Sequence, residues 1–444
     1  MRERSNMFKY QVLDEQLFSL RFGGNNPHLI PRYGLIYHGP IKRLEHSQLQ
    51  LRFVYPNICV SHSIGKLKRI LVEGSDKFPG FKRVYRSDLE LLEDVVIERE
   101  EISNPQKSIR LKKALEEDCE LSVKPVYIVV VPPYPRWFRK SPYYLLKAYL
   151  LKYGIMSQMV RTDTITTRSL EEVAFNMANA IFAKASGEPW RLFSKVISFS
   201  GTSEKVAIIG MGISRIPKEP GYKEYDRYAG FTILYSDEGQ LLYIRTFVTE
   251  YDRQVVFREL KRAVVEAVDK FSGYGEIDVI IHYAGKELGG PEEEKLVRTI
   301  EELEKARKLK VHYSVLRIVK NPLYRVFSTS KHGYPPMGLY VRLGERLILT
   351  YTIGYLRNMS PMGVPVPLLL SIRLSNISIK EINIEALVSS VCKLARLNWR
   401  GTSVFNREPV TIKYSRLLAY LSASLKEAGG LNPEDLPAEK PWFL

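Results

Sequence analysis

VYIVVV, residues Val126–Val131, is the stretch on which the fold turns. Six apolar residues run without a polar break, most of them strong strand formers. A strand of that kind is buried on both faces, as in the middle of a parallel sheet. A turn rich in proline and basic residues follows over 132–140, and Ser141-Pro142 then opens a helix. Serine at the N-cap and proline at the first helical position are start signals, and Gly154 behind Tyr153 is a stop. Next come a short strand at Ser157–Arg161 and a helix over 170–185. Strand, helix, strand, helix describes an open α/β layer. Upstream, a strand-like segment at 51–55 and a charged helix at 109–117 fit the same layer.

A second cycle begins at Lys205. VAIIGMGI (206–213) reads as a strand, and 230–235 and 241–248 as two more joined by the turn SDEGQ. A helix over 253–271 carries Val256, Leu260, Val264 and Val268 as an apolar stripe at helical spacing. A strand over 277–283 and a helix over 292–309 complete the cycle. A meander followed by alternating helices and strands is the order of an RNase H-like fold. The Gly-Glu-Pro stretch after Ser186 separates the two cycles. The chain therefore divides into an N-terminal segment (1–40), a first α/β domain (41–190) and a second (191–444).

Composition narrows the class of partner. The chain has 444 residues, 45% of them hydrophobic, enough for two cores. Its 66 Lys and Arg against 49 Asp and Glu give a formal net charge of +17. That excess favours a polyanion, and nucleic acid ahead of an anionic membrane. No apolar run is long enough to span a bilayer, no basic amphipathic helix or lipidation signal stands out, and residues 1–10 lack a signal-peptide core. Membrane insertion is not expected. Cys59, Cys119 and Cys392 lie far apart, forming neither a zinc-ligand spacing nor a disulfide framework, so a reducing cytoplasm is the expected compartment.

In an open α/β sheet, ligands bind beyond the carboxyl ends of the strands. Tyr143 and Lys147 share a helix face there, Gln158 lies at the next strand, and Asn176 and Lys184 share a face of the helix after it. Two ammonium groups, two amides and a phenol would suit a terminal phosphate under a stacked base. In order, spacing and setting this set resembles the guide 5′-phosphate pocket in the MID domain of Argonaute proteins. GLIYHGP (34–40) resembles the entry to that half, and the apolar end PWFL (441–444) resembles tails tucked between the two halves of prokaryotic members. The resemblance implies a Rossmann-like MID domain followed by an RNase H-like PIWI domain. It also implies a divalent cation (Mg or Mn) at the guide's 5′ end, bound through the Leu444 carboxylate, since a carboxylate beside phosphates needs a cation between them.

The second half resembles PIWI through VAIIGMGIS (206–214), IIHYAGKE (280–287), LRIVKNPLYRVF (316–327), GVPVPLLLSI (363–372) and LNWRGTS leading to IKYSRLLAYL. PIWI nucleases hold two divalent ions with clustered carboxylates. Here Gly212 stands at the first acid's position, Ala284 at the second and Arg416 at the last. Glycine and alanine offer no donor atom, and arginine repels a metal. For the remaining acid Glu250 is the nearest candidate, while Asp252 and Glu287 read as solvated surface residues.

The implied protein is a short prokaryotic, archaeal-type Argonaute of MID and PIWI halves that does not cut. It would use a short guide, RNA by family habit, to find a complementary strand, DNA by the same habit, in defence against plasmids or viruses. A separately encoded partner would supply the missing N-terminal and PAZ-like half and a toxic effector, and a homodimer is compatible with it. The rival is an active nuclease with rearranged carboxylates, which would cleave a matched target in the presence of Mn²⁺ or Mg²⁺.

Overall fold

The computed structural model describes residues 10–57, 60–134, 141–167, 169–217, 225–246, 253–285, 290–328, 333–432, 436–437 and 440–444. VYIVVV lies inside a parallel sheet, pairing with Gln48–Pro56 on one side and Ser157–Arg161 on the other. Asp88–Leu91 and Val95–Ile97 extend the far edge, again parallel. All six of its residues are buried because helices cover both faces. Val126, Ile128 and Val130 share a core with Leu67, Ile70 and Phe175, while Tyr127, Val129 and Val131 share another with Leu111, Leu115, Leu146 and Leu150. Alternation along a strand sends successive side chains to opposite faces, so both must be dry here.

The helix Pro142–Lys152 starts where the sequence places it. Ser141 is extended at its N-cap, but the serine hydroxyl makes no capping bond; the backbone carbonyl of Ser141 accepts from Tyr144 and Leu145. Gly154 takes φ +69° just past the end, the left-handed turn that glycine permits. The helix Leu170–Lys184 ends one residue before the expected position.

A nine-stranded sheet forms the second layer. From one edge it runs Tyr10–Val12, Leu339–Arg342, Leu347–Thr350, Leu368–Ser375, Lys310–Val319, Glu276–Tyr283, Lys205–Pro217, Tyr225–Tyr235 and Leu241–Thr246. The three central strands, Lys310–Val319, Glu276–Tyr283 and Lys205–Pro217, are parallel to one another, and the outer pairings are antiparallel. The strand read as 230–235 begins earlier, at Tyr225, and the helix read as 292–309 occupies Gly290–Arg307. The architecture is the α/β arrangement expected, with a parallel layer followed by a mixed sheet of meander and crossovers.

Residues of the N-terminal segment join the second sheet and its surroundings. Tyr10–Val12 is an edge strand paired with Leu339–Arg342, and Leu20–Arg21 pairs with Arg191–Leu192. The buried Arg396 guanidinium donates to the carbonyls of Phe18, Leu29 and Val404, tying the N-terminal segment to the second half. Among the described residues no helix is long and apolar enough to cross a membrane.

The long helix Val410–Gly429 lies directly on the Lys205–Pro217 strand. Gly210 and Gly212 make this possible. A Cβ on Gly210 would collide with the Thr411 carbonyl, and one on Gly212 would stand 2.6 Å from the Arg416 nitrogen. His282 pins the same junction from the neighbouring strand, its ring nitrogens 2.9 Å from Thr411 Oγ1 and 3.0 Å from Ser390 Oγ. Burial pushes its pKa down to about 3, so it is a neutral core histidine.

Candidate nucleic-acid interface

Lys147, Gln158 and Lys184 converge at the seam between the first sheet and the C-terminal tail. Lys147 Nζ donates to the Ser157 carbonyl at 3.3 Å and to the Trp442 carbonyl at 3.2 Å. Lys184 Nζ donates to the same Ser157 carbonyl at 2.9 Å and to Gln158 Oε1 at 2.5 Å. Both lysines are 1% exposed, and among the described residues neither forms an ion pair with an acidic side chain. Two ammonium groups sharing one carbonyl in a dry site cost free energy unless an anion joins them. Burial, and then the Arg400 charge, pushes Lys147 down to about 7. Burial lowers Lys184 well below its ordinary value, with Lys147 and Arg400 adding to it. The Ser157 hydroxyl and the Trp442 indole nitrogen, on residues of the same cluster, are buried without a hydrogen-bond partner among the described residues. Donors thus exceed acceptors in this cluster, an arrangement chemically suited to an anion.

Asn176 lies on the same helix as Lys184. Its Oδ1 accepts from the Thr402 backbone nitrogen at 3.1 Å and lies against Gly401, so it holds the loop that carries Arg400. Tyr143 is half-buried, its ring edge-on to Tyr144 at 5.1 Å. Arg400 does not stand out in the sequence, although it lies inside LNWRGTS; nothing local marks its charge as bearing on two lysines more than 200 residues earlier.

The tail is buried: Trp442 is 1% exposed, Phe443 2% and Leu444 4%. Trp442 lies under the Lys147 ammonium, 5.9 Å from ring centroid to Nζ, and Phe443 packs edge-on against Tyr414 of the long helix at 5.2 Å. Deleting Phe443-Leu444 removes two buried apolar side chains, each worth about 1.5–3 kcal/mol. The expected result is a lower melting temperature and weaker binding of a 5′-phosphorylated strand. Thermal unfolding and a binding titration check it; a chain extended past Leu444 with unchanged affinity would contradict a role for the carboxylate.

The three positions where acids were expected also sit close together. Gly212 is covered by the backbone of Ser415 and Arg416. Ala284 precedes Gly285, whose carbonyl accepts from Arg317 Nε at 3.2 Å. Arg416 Nη2 lies 3.3 Å from Glu408 Oε2, and Lys320 Nζ lies 3.4 Å from Glu408 Oε1. Burial raises the Glu408 carboxyl, against the opposing charges of Lys413 and Arg407. Among the described residues no group of three His, Cys, Asp or Glu side chains could hold a metal ion. Glu250, Asp252 and Glu287, together with Cys59, lie outside the described residues.

This sheet order, with a long C-terminal helix laid across its central strand, is that of an RNase H-like domain. The Piwi domain model matches residues 129–426, two thirds of the chain, and the chain belongs to that family. A Piwi protein of Archaeoglobus fulgidus is 28% identical over 319 residues, covering 68% of this chain and 71% of the relative. Among solved structures, Clostridium butyricum Argonaute bound to a guide DNA and a 19-mer target DNA has a TM-score of 0.68 at 16% identity, covering 95% of this chain and 54% of that one. Drosophila Piwi has a TM-score of 0.68 at 15% identity, and A. aeolicus Argonaute 0.62 at 17%; each covers 98% of this chain and 56% of the other. These likenesses show the fold, and the chain spans about half the length of the solved proteins it matches.

Proposed function

We propose that this chain grips the 5′-phosphate of a short guide strand and uses it to recognise complementary nucleic acid without cutting it. The observation that carries the reading is the pair of buried lysines joined at the Ser157 carbonyl, with neutral partners only among the described residues. A terminal phosphate carries about −1.5 to −2 charges near neutral pH and supplies the missing acceptors. The first α/β layer is on this reading a MID domain. RNA as guide and DNA as target, a cytoplasmic setting, and a separately encoded partner linking recognition to a toxic effector against plasmids or viruses all belong to the same proposal, on the family resemblance.

A divalent cation at the guide's 5′ end belongs to the same proposal, on the family resemblance. The chain's own ligand would be the Leu444 carboxylate, and the remaining oxygens would come from guide phosphates. Bound there, Mg²⁺ or Mn²⁺ would screen the carboxylate from the phosphates.

Absence of cleavage is supported by the residues at the acid positions. Gly212 and Ala284 offer no ligand atoms, and Arg416 places a positive charge where two dications would need carboxylates. The test is a guided assay on a labelled, fully matched strand with Mn²⁺, reading retention and cleavage in one sample. Retention with an intact strand is expected. Site-specific cutting opposite the guide's middle would make the protein a nuclease with rearranged acids.

A further inference from the structure

We propose that the site of the missing acids is itself a phosphate clamp, in which fixed cations of Arg416 and Lys320 hold a phosphodiester of the guide–target duplex where a nuclease would hold metal ions. The inference rests on the guided-recognition reading above and assigns a part of the duplex contact to named residues.

Glu408 is the organiser. Its two oxygens face separate cations, Lys320 at 3.4 Å and Arg416 at 3.3 Å. Arg407, its neighbour in the chain, donates through Nη2 to Asn321 at 3.3 Å and to the Pro367 carbonyl at 3.2 Å, and Lys413 lies within the field of Glu408. Around one carboxylate, then, stand four basic side chains: Lys320, Arg407, Lys413 and Arg416. A purely structural ion pair needs one cation, and each further cation in a partly dry cleft repels the others. An anion from outside removes that repulsion.

Accessibility points the same way. The Arg416 side chain is 42% exposed while Glu408 is 20% exposed, so the carboxylate is recessed behind the guanidinium. Glu408 Oε2 makes no hydrogen bond among the described residues, so Arg416 is held by charge and not by an aligned bond, leaving its N–H groups for a ligand. A guanidinium fork and an ammonium suit a phosphodiester, the first by two-point contact and the second as a point charge. Position supports the clamp as well. Lys413 and Arg416 are three apart on the long helix and share a face.

The experiment uses the full chain loaded with a 5′-phosphorylated guide, measuring affinity for a complementary strand across a salt series. Arg416→Gln with Lys320→Gln is expected to weaken target binding by about tenfold to a hundredfold with guide affinity unchanged. The slope of log affinity against log salt should become shallower by about 0.9 for each phosphate no longer neutralised. Glu408→Gln should act in the opposite direction, tightening target binding, because it frees both cations from their competing carboxylate. A merely structural cluster would make Glu408→Gln weaken binding along with the other variants, and that result would overturn the proposal. So would target affinity and salt slope unchanged in the folded double variant. If the unmodified chain binds no 5′-phosphorylated guide, the underlying reading fails instead, and this one with it.

Discussion

Replacing Lys147 and Lys184 together with alanine is expected to lower affinity for a 5′-phosphorylated guide by roughly 10²–10⁴-fold, since each charge-assisted hydrogen bond is worth about 1.5–3 kcal/mol. Affinity for a 5′-hydroxyl guide should change far less, so the two guides become nearly equivalent. An equal drop for both would mean that the lysines support the fold and not the phosphate. The pH dependence gives a second handle. In the free protein Lys147 titrates at about 7, far below the ordinary lysine value of 10.5. Between those values the unfolded chain binds more protons than the folded one, so this lysine makes the free protein more stable as pH rises through that window. Phosphate binding favours the charged ammonium and takes up a proton. Guide affinity should therefore fall by up to about tenfold per pH unit above pH 7, and only for the phosphorylated guide. Titrations of both guides at several pH values read this directly; a flat profile for the phosphorylated guide would remove Lys147 from the phosphate site.

Gly212→Asp, the substitution that would put back the first missing acid, is expected to destabilise the protein and leave it unable to cut. A Cβ at that position would stand 2.6 Å from the Arg416 nitrogen, 2.8 Å from Ser415 Cβ and 2.9 Å from the Ser415 carbonyl carbon. Two of these are backbone atoms of a 20-residue helix, which cannot step aside as a flexible side chain would. Overpacking of this kind costs about 1–3 kcal/mol and sometimes more, and the new carboxylate would be buried besides. One acid would not assemble a metal pair in any case, because the pair needs several carboxylates to neutralise it. Denaturant unfolding should show the destabilisation, and the matched-strand assay should show no product. A variant as stable as the unmodified chain would mean the helix can lift from the strand; one that also cuts would overturn the account of the acid positions.

Much of the fold was legible because it is local. VYIVVV announced a strand covered on both faces, and the apolar spacing at Leu260, Val264 and Val268 announced a helix, since period and turn chemistry are written into neighbouring residues. The residue types at the pocket were legible too: Lys147, Gln158 and Lys184 stand in one crevice because a single strand–helix–strand–helix unit delivers them there. What the sequence could not state is how many partners each would have. That Lys147 also reaches the Trp442 carbonyl and that Asn176 grips the Thr402 backbone depend on segments more than 200 residues apart. The edge strand Tyr10–Val12 likewise finds its partner at Leu339–Arg342. Gly210 and Gly212 show the division most plainly. In sequence each is a residue without a donor atom, and only the packed helix turns that absence into a close approach of two backbones, which no side chain can enter. The sequence by itself thus determined the elements and the chemistry available to them, through short-range periodicity, whereas burial, pairing and the balance of charge were decided by tertiary packing that no local pattern encodes.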